Sequence, residues 1–482
     1  MKLLLLLFSF FPAIVLSQTD MYFRAESFAS IANGSYTPFW IASNTYGIVP
    51  INADNSYFRG QMKYKQTLGR VFNIDAGIDL VTASNHTSSL WLHQFYAGIS
   101  YRKLKLTVGS KEYFNSILDR ALSQGDMCYS GNSRPHPEIL LGFPEYTDVP
   151  FTGGILAFKA DFAVGKSLDD DYILRTKSAT SNYATGVLIH HKSLFFKVNS
   201  PVNTLPLFFT AGLVHASQWG GWVSGESVHY QPASIKDFLR IVMCSSGGDN
   251  ATGSDRINVL GNHLGTINIR LDYAGGMFGA ALYKQHYFDD KSGLEYANWR
   301  DGIWGGEISF PKSRFIDKIV LEMLYSKHQS GPFHFIMYDN RGKYRGGGND
   351  DYYNNGAYYQ GWSYFGRSIG NPLLTSPEYN GDGDLKFKNN RIKSFHAGIK
   401  GNISQCLSYR VLLTSMSGWG RMSYPFLKRN DNFSFLTECL YTSSALRGWE
   451  LGFQVASDNG DLYGNNFGCS FKISKHGLLI NK

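Results

Sequence analysis

The chain has 482 residues, of which 17% are charged and 15% aromatic, with a formal net charge of +8. That charged fraction lies below the about 25% of ordinary soluble domains. The positive residues are scattered, with no long Lys/Arg block, so nucleic acid is excluded as the expected partner.

Residues 1–17 read as a secretory signal. Lys2 supplies the positive start, Leu3 to Leu16 an apolar run broken by Ser9 and Pro12, and Val15 and Ser17 the cleavage site before Gln18. No cysteine follows the cut, so no lipid anchor is expected. No later segment approaches the roughly 20 apolar residues of a spanning helix. Only a closed barrel then places this chain in a membrane.

Stretches alternating between apolar and polar recur behind the signal. Phe72, Ile74, Ala76, Ile78 and Leu80 alternate with Asn73, Asp75, Gly77 and Asp79. Ile267, Ile269, Leu271 and Tyr273 alternate with Thr266, Asn268, Arg270 and Asp272. The same pattern runs through Phe395 to Lys400, Trp449 to Val455 and Phe467 to Ile473. Period alone does not separate a soluble sheet with one wet face from a barrel that turns its apolar face to lipid. Low charge, 51 Gly, 30 Tyr and 34 Phe favour the barrel, with aromatic girdles at both water interfaces.

Seventeen candidate strands fall near 21–31, 56–68, 71–82, 89–101, 104–111, 151–163, 184–199, 206–217, 264–274, 277–288, 303–310, 316–328, 391–401, 405–416, 432–442, 446–457 and 461–474. Bacterial single-chain barrels use even numbers, so one further strand is expected, near 333–341. Asn459-Gly460 reads as a tight turn between the last two strands. Residues 18–482 form one all-β domain. Long connections are expected at 32–55, 112–150, 218–263 and 342–390, reaching outside the cell or into the lumen. The segment 342–383, rich in Gly, Asn, Asp and Tyr, suits an irregular loop whose flat aromatic faces either stack on sugars or pack as a plug. The five cysteines, Cys128, Cys244, Cys406, Cys439 and Cys469, are widely spaced and odd in number, so no disulfide framework is indicated. Cys469 shares the apolar register of its strand.

Catalytic and metal signals are weak. Glu112, Asp126 and Glu138 flank one loop, and Asp289, Asp290 and Asp301 cluster in another. Carboxylates lining a barrel more often pair with Arg and Lys than hydrolyse glycosides, and no nucleophile or phosphate-loop motif accompanies them. His190 and His191 point to opposite faces of a strand, while His86, His93, His136 and His263 carry no ligand spacing. No catalytic residue, cofactor or metal is therefore expected.

Four passages together resemble the Wzi-type capsule assembly family, in its Bacteroides-like branch. They are Thr37-Pro38-Phe39-Trp40 with Asn44-Thr45-Tyr46-Gly47; Gly125-Asp126-Met127-Cys128-Tyr129-Ser130-Gly131-Asn132-Ser133-Arg134-Pro135-His136-Pro137-Glu138; Gly261-Asn262-His263 through Tyr287-Phe288-Asp289-Asp290-Lys291-Ser292-Gly293 to Asp301-Gly302; and Tyr352-Tyr353-Asn354-Asn355, Gly361-Trp362 and Ile369-Gly370-Asn371-Pro372-Leu373-Leu374. His215 with Gln218-Trp219-Gly220-Gly221 supports the match. The resemblance implies an outer-membrane barrel of about 18 strands with a lectin-like role in holding capsular polysaccharide. One departure is that residues 18–36 lack the periplasmic helical pattern of enterobacterial members.

The expected protein is thus a monomeric barrel in the outer membrane of a Gram-negative bacterium, in contact with outer-membrane lipid. It retains capsular or other surface polysaccharide without catalysis. A diffusion porin and a polysaccharide-modifying enzyme are the alternatives. Trp219, Trp222, Tyr352, Tyr353 and Trp362 are the candidate sugar contacts, with an interfacial girdle as the competing role for the first two. Asn132, Arg134, His136, Asp289, Asp290 and Asp301 are expected in a lumen or loop network, because polar groups near Pro and Gly need partners when buried.

Overall fold

The computed structural model describes residues 18–200, 206–225, 229–333, 335–337, 344–346 and 348–481. The expected signal at 1–17 lies outside the described residues. Eighteen antiparallel strands form one closed barrel: β1 Gln18–Asn33, β2 Asn55–Leu68, β3 Phe72–Ser84, β4 Leu90–Tyr101, β5 Leu104–Ser110, β6 Pro137–Asp148, β7 Leu156–Lys166, β8 Leu188–Asn199, β9 Leu207–Trp219, β10 Asn262–Ala274, β11 Gly279–Phe288, β12 Gly302–Ser309, β13 Lys318–Tyr325, β14 Ile392–Asn402, β15 Leu407–Gly420, β16 Pro425–Thr442, β17 Trp449–Gly460 and β18 Asn466–Asn481. β1 pairs with both β2 and β18, which closes the cylinder and leaves no open edge in lipid.

The alternation has an inside-out sense. On β3, Ile78 and Leu80 are 46% and 47% exposed, while Asp79 is fully buried. On β10, Ile269 and Leu271 face outward, and Arg270 turns inward to Glu307 at 2.8 Å. Charges at the inner wall pair across strands, as in Lys105–Asp75 at 2.6 Å and Arg410–Glu438 at 2.8 Å. The apolar face meets lipid and the polar face is satisfied within the barrel, as a membrane-spanning sheet requires. Phe72, Tyr101, Phe278, Tyr441 and Trp449 are exposed toward the short-turn end, and Trp304, Phe395 and Phe433 toward the other. Exposed aromatic rings thus occur toward both ends of the wall.

Two sequence expectations are corrected. The eighteenth strand is β6, inside the expected long loop 112–150. Its Ile139-Leu140-Leu141 run breaks the alternation, and a register shift between Phe143 and Thr147 accommodates Pro144. At 333–341, the described residues Phe335–Met337 instead pair with Tyr344–Gly346 in a short hairpin separate from the barrel; residues 334 and 338–341 lie outside the described set. Asn459 and Gly460 extend β17, and the connection is 461–465.

Because strands alternate in direction, every second connection lies at one end. That end carries 34–54, 111–136, 167–187, 220–261, 289–301 and 326–391, whereas no connection at the other end exceeds the eight residues of 310–317. The structure thus begins and ends at the short-turn end, with β1 starting at Gln18 and β18 ending at Asn481.

Candidate functional site: a plugged lumen beneath an outer cleft

The connection after β5 does not leave the barrel but crosses its bore. At one wall, Glu112 accepts from Arg59 of β2 at 2.6 Å and lies 3.3 Å from His93 of β4. Seven residues later, Asp119 meets Lys318 of β13 at 3.0 Å and Lys400 of β14 at 3.4 Å. β4 and β13 are nine strands apart in the closed order of eighteen, so the segment spans the full diameter. It then runs along the far wall. Glu322 accepts from Gln124 N–H and Ser123 Oγ, Gln285 accepts from Met127 N–H, and His396 Nε2 donates to Leu122 O at 2.7 Å. Gly398 makes this approach possible, since a Cβ there would sit 2.4 Å from Leu122 O.

The connection after β13 packs on top. Tyr353 Oη donates to Met127 O at 2.5 Å, Trp362 Nε1 to Cys128 O at 2.8 Å, Ser130 Oγ to Gly370 O at 2.6 Å and Asn371 Nδ2 to Gly125 O at 2.5 Å. The apolar core of the molecule is this plug. Leu122, Met127, Tyr352, Tyr353, Trp362, Leu374 and Phe387 are almost wholly buried against inward residues such as Val320, Leu324 and Leu436.

Tyr352, Tyr353 and Trp362, expected as sugar contacts, are thus enclosed at 0–1% exposure. A ring stacks on a sugar only when one face is free, and these faces meet protein, as in Tyr287–Tyr352 at 4.6 Å. Trp219, at the end of β9, is buried against Phe238 at 5.3 Å. Trp222 is half-buried beside Tyr183 at 5.4 Å.

Of the six residues named for a lumen or loop network, Asn132, Arg134 and His136 lie in the crossing connection, and Asp289, Asp290 and Asp301 lie in or at the edge of the 289–301 connection. Asn132 Oδ1 accepts from Asn44 N–H and its amide donates to Ser368 O. The Arg134 guanidinium sits between the Trp91 and Phe365 rings, 4.2 and 4.3 Å from their centroids. Burial there pulls its pKa down to about 10, so it stays charged at neutral pH. His136 stacks on Tyr364 at 4.0 Å, and burial drives its pKa down to about 3, keeping it neutral. Asp301 accepts from Gln329 N–H at 2.8 Å and Tyr352 Oη at 2.7 Å. Asp290 caps the turn Lys291–Leu294. Asp289 accepts from Tyr287 Oη, and burial raises its carboxyl well above the usual range, with Asp290 and Asp351 adding repulsion.

Above the plug, a cleft of about 540 Å³ opens at the long-loop end. Residues 178–182, 382–388 and the 421–426 hairpin form its walls, with Tyr359 between them. Tyr424 is 69% exposed. Lys386 Nζ lies 5.5 Å from the Tyr359 ring centre, and Arg421 lies 4.9 Å from that of Tyr424. Most cations are already engaged: Lys388 pairs with Asp382 at 2.5 Å and Arg421 with Asp351. Aromatic faces beside hydroxyls, amides and neutralised charges suit an uncharged or weakly charged polyhydroxyl ligand. Tyr359 falls in the Tyr-rich segment marked by composition; Tyr424, in a short hairpin, had no such signal. Two further cavities of about 250 and 200 Å³ lie behind the cleft, sharing Tyr172, Thr176 and Glu378.

No family model matches the chain. No curated protein matches it in sequence. Among solved structures, it is similar to Wzi of Escherichia coli, described as an outer-membrane protein involved in group 1 capsule assembly and a carbohydrate-binding β-barrel. Identity is 11%, TM-score 0.59, with 94% of this chain and 83% of that one covered. It also aligns with OccK5 (OpdH) of Pseudomonas aeruginosa at 10% identity and TM-score 0.49, covering 96% of this chain and 98% of that one. The likeness to Wzi is one of fold: a closed 18-strand antiparallel β-barrel of the outer-membrane type.

Proposed function

We propose that this protein resides in the outer membrane of a Gram-negative cell, exported through its N-terminal segment. There it holds capsular or other surface polysaccharide at the outer end of its barrel without altering the polymer. The observation that carries this reading is the pairing of a bore crossed and packed by two interlocked loops with an aromatic, polar cleft above them. A solute channel needs a continuous wet path, and the plug stands across it. The described carbohydrate binding of Wzi, on the same architecture, supports the same reading. The proposed sugar contacts are Tyr359, Tyr424 and Lys386 at the cleft, in place of the enclosed Tyr352, Tyr353 and Trp362.

A clean deletion is expected to leave polysaccharide synthesis intact while polymer moves from cells to medium. Tyr424→Ala in the purified protein is expected to weaken polysaccharide binding about tenfold, about 1.4 kcal/mol. Unchanged cell-bound polymer together with steady ion conductance in planar bilayers would establish a porin instead. Shortening of the polymer by the purified protein would establish an enzyme.

A further inference from the structure

Three histidines share the outer wall near the long-loop end. His190 on β8, His215 on β9 and His263 on β10 occupy the register that lower down presents Leu194, Leu213 and Ile269 to lipid. All three are nevertheless buried. The connection after β9 folds back over them through a helix, α1 (Ile235–Val242), capped by Ser234 and Asp237. Its inner face seats Ile241 and Phe238 against Trp219 and Leu260. Just past its C-terminus, Cys244 adopts a left-handed backbone with φ of 50° and meets the histidines.

His215 Nε2 lies 2.8 Å from His263 Nδ1 and 3.4 Å from Cys244 Sγ. Two imidazoles on one tetrahedral zinc, at Zn–N of about 2.05 Å, place their ring centres about 5.2 Å apart. The two rings here are 5.1 Å apart. A thiolate and an imidazole on the same ion have S and N about 3.5 Å apart, close to the observed 3.4 Å. The N–N distance of 2.8 Å is shorter than the about 3.3 Å an ion requires. It fits a metal-free state in which His215 Nε2–H donates to His263 Nδ1.

The second shell of His263 is also in place. His263 Nε2 donates to Leu260 O at 2.7 Å, which fixes its tautomer and leaves Nδ1 as a bare lone pair aimed at the cluster. Two buried ring nitrogens beside it, His215 Nδ1 and His190 Nε2, have no hydrogen-bond partner.

We infer that His215, His263 and Cys244 form a binding site for a zinc-class divalent ion that clips the 220–261 connection to the barrel wall. A thiol with two imidazoles selects a borderline-soft ion over calcium or magnesium. Binding releases the Cys244 thiol proton, and His215 keeps one proton by moving it from Nε2 to Nδ1, so one proton leaves per ion bound. Cys244 is exposed, so the fourth position is reached from outside.

The test uses the purified full-length barrel in detergent, stripped with EDTA and dialysed against Zn²⁺ or, as a spectroscopic probe, Co²⁺. One zinc per chain is expected. Cobalt should give tetrahedral visible bands and a near-ultraviolet thiolate charge-transfer band. Cys244→Ser removes that band and weakens zinc at least tenfold; Cys406→Ser changes neither. Zinc also protects Cys244 from maleimide, and EDTA reverses the protection. A barrel without stoichiometric zinc overturns the proposal, as does a charge-transfer band that survives Cys244→Ser. His263→Ala serves as a second variant where it retains the heat-modifiable barrel; Cys244→Ser, on a surface loop, decides the matter by itself.

Discussion

Tyr353→Phe removes a single oxygen from the seam between the two plug segments. That hydroxyl donates to Met127 O at 2.5 Å and accepts from Asn371 N–H at 2.9 Å, and the residue is 1% exposed. Phenylalanine keeps the ring contacts with Tyr287 and Phe387 at 5.8 and 5.3 Å. It leaves a buried carbonyl and a buried amide without a partner, at about 1–3 kcal/mol each. The expected loss to the plug is therefore about 2–6 kcal/mol, taken as the two costs together. The barrel ladder does not depend on this group, so the loss should appear locally. Amide hydrogen exchange on the detergent-solubilised protein reads it directly. Asn371 should exchange at least about thirtyfold faster, while strand amides of β13 and β14 stay protected. Exchange at Asn371 within threefold of wild type would refute the assignment of this hydroxyl as the link between the loops.

Arg134→Ala removes a guanidinium held between Trp91 and Phe365 and should lower the temperature at which the barrel unfolds on gels, by about 2–4 kcal/mol of stability; unchanged heat resistance would make the contact incidental. Gly398→Val drives a side chain into Leu122 O and should displace the crossing segment at a cost of about 1–3 kcal/mol. Planar-bilayer recordings should then show more openings than wild type. Asp169, in the loop after β7, is held up to about 6 by burial against the pull of Phe365 N–H and Ser167. Its folded pKa exceeds the unfolded value, so stability from this site is full below about pH 4, declines to about pH 6 and is flat above, a loss of about 3 kcal/mol. Asp169→Asn should remove that slope in melting measured from pH 4 to 7, and an identical slope in both proteins would count against it.

The alternation of Ile78 and Leu80 with Asp79, and of Ile269 and Leu271 with Arg270, was enough to predict strands, and low charge with abundant aromatics was enough to turn the apolar face outward. These are local properties: a period of two and a composition survive without knowledge of neighbours. The strand β6 was hidden because its Ile139-Leu140-Leu141 run and Pro144 break the period, and pairing with β5 and β7 supplies what the local pattern lacks. Composition marked 342–383 as a loop but left open whether its tyrosines stack on sugar or pack as a plug. That choice depends on which loop meets which. Glu112 and Asp119 are seven residues apart in sequence yet grip opposite walls, and Tyr353 finds Met127 across more than two hundred residues. Likewise His215, Cys244 and His263 have no ligand spacing, because a helix and two strands bring them together. The sequence by itself determined a barrel with long connections, since burial and period act residue by residue. Only the tertiary structure decided which aromatics are enclosed and which line a cleft, because exposure at a loop residue is set by long-range packing that no local pattern records.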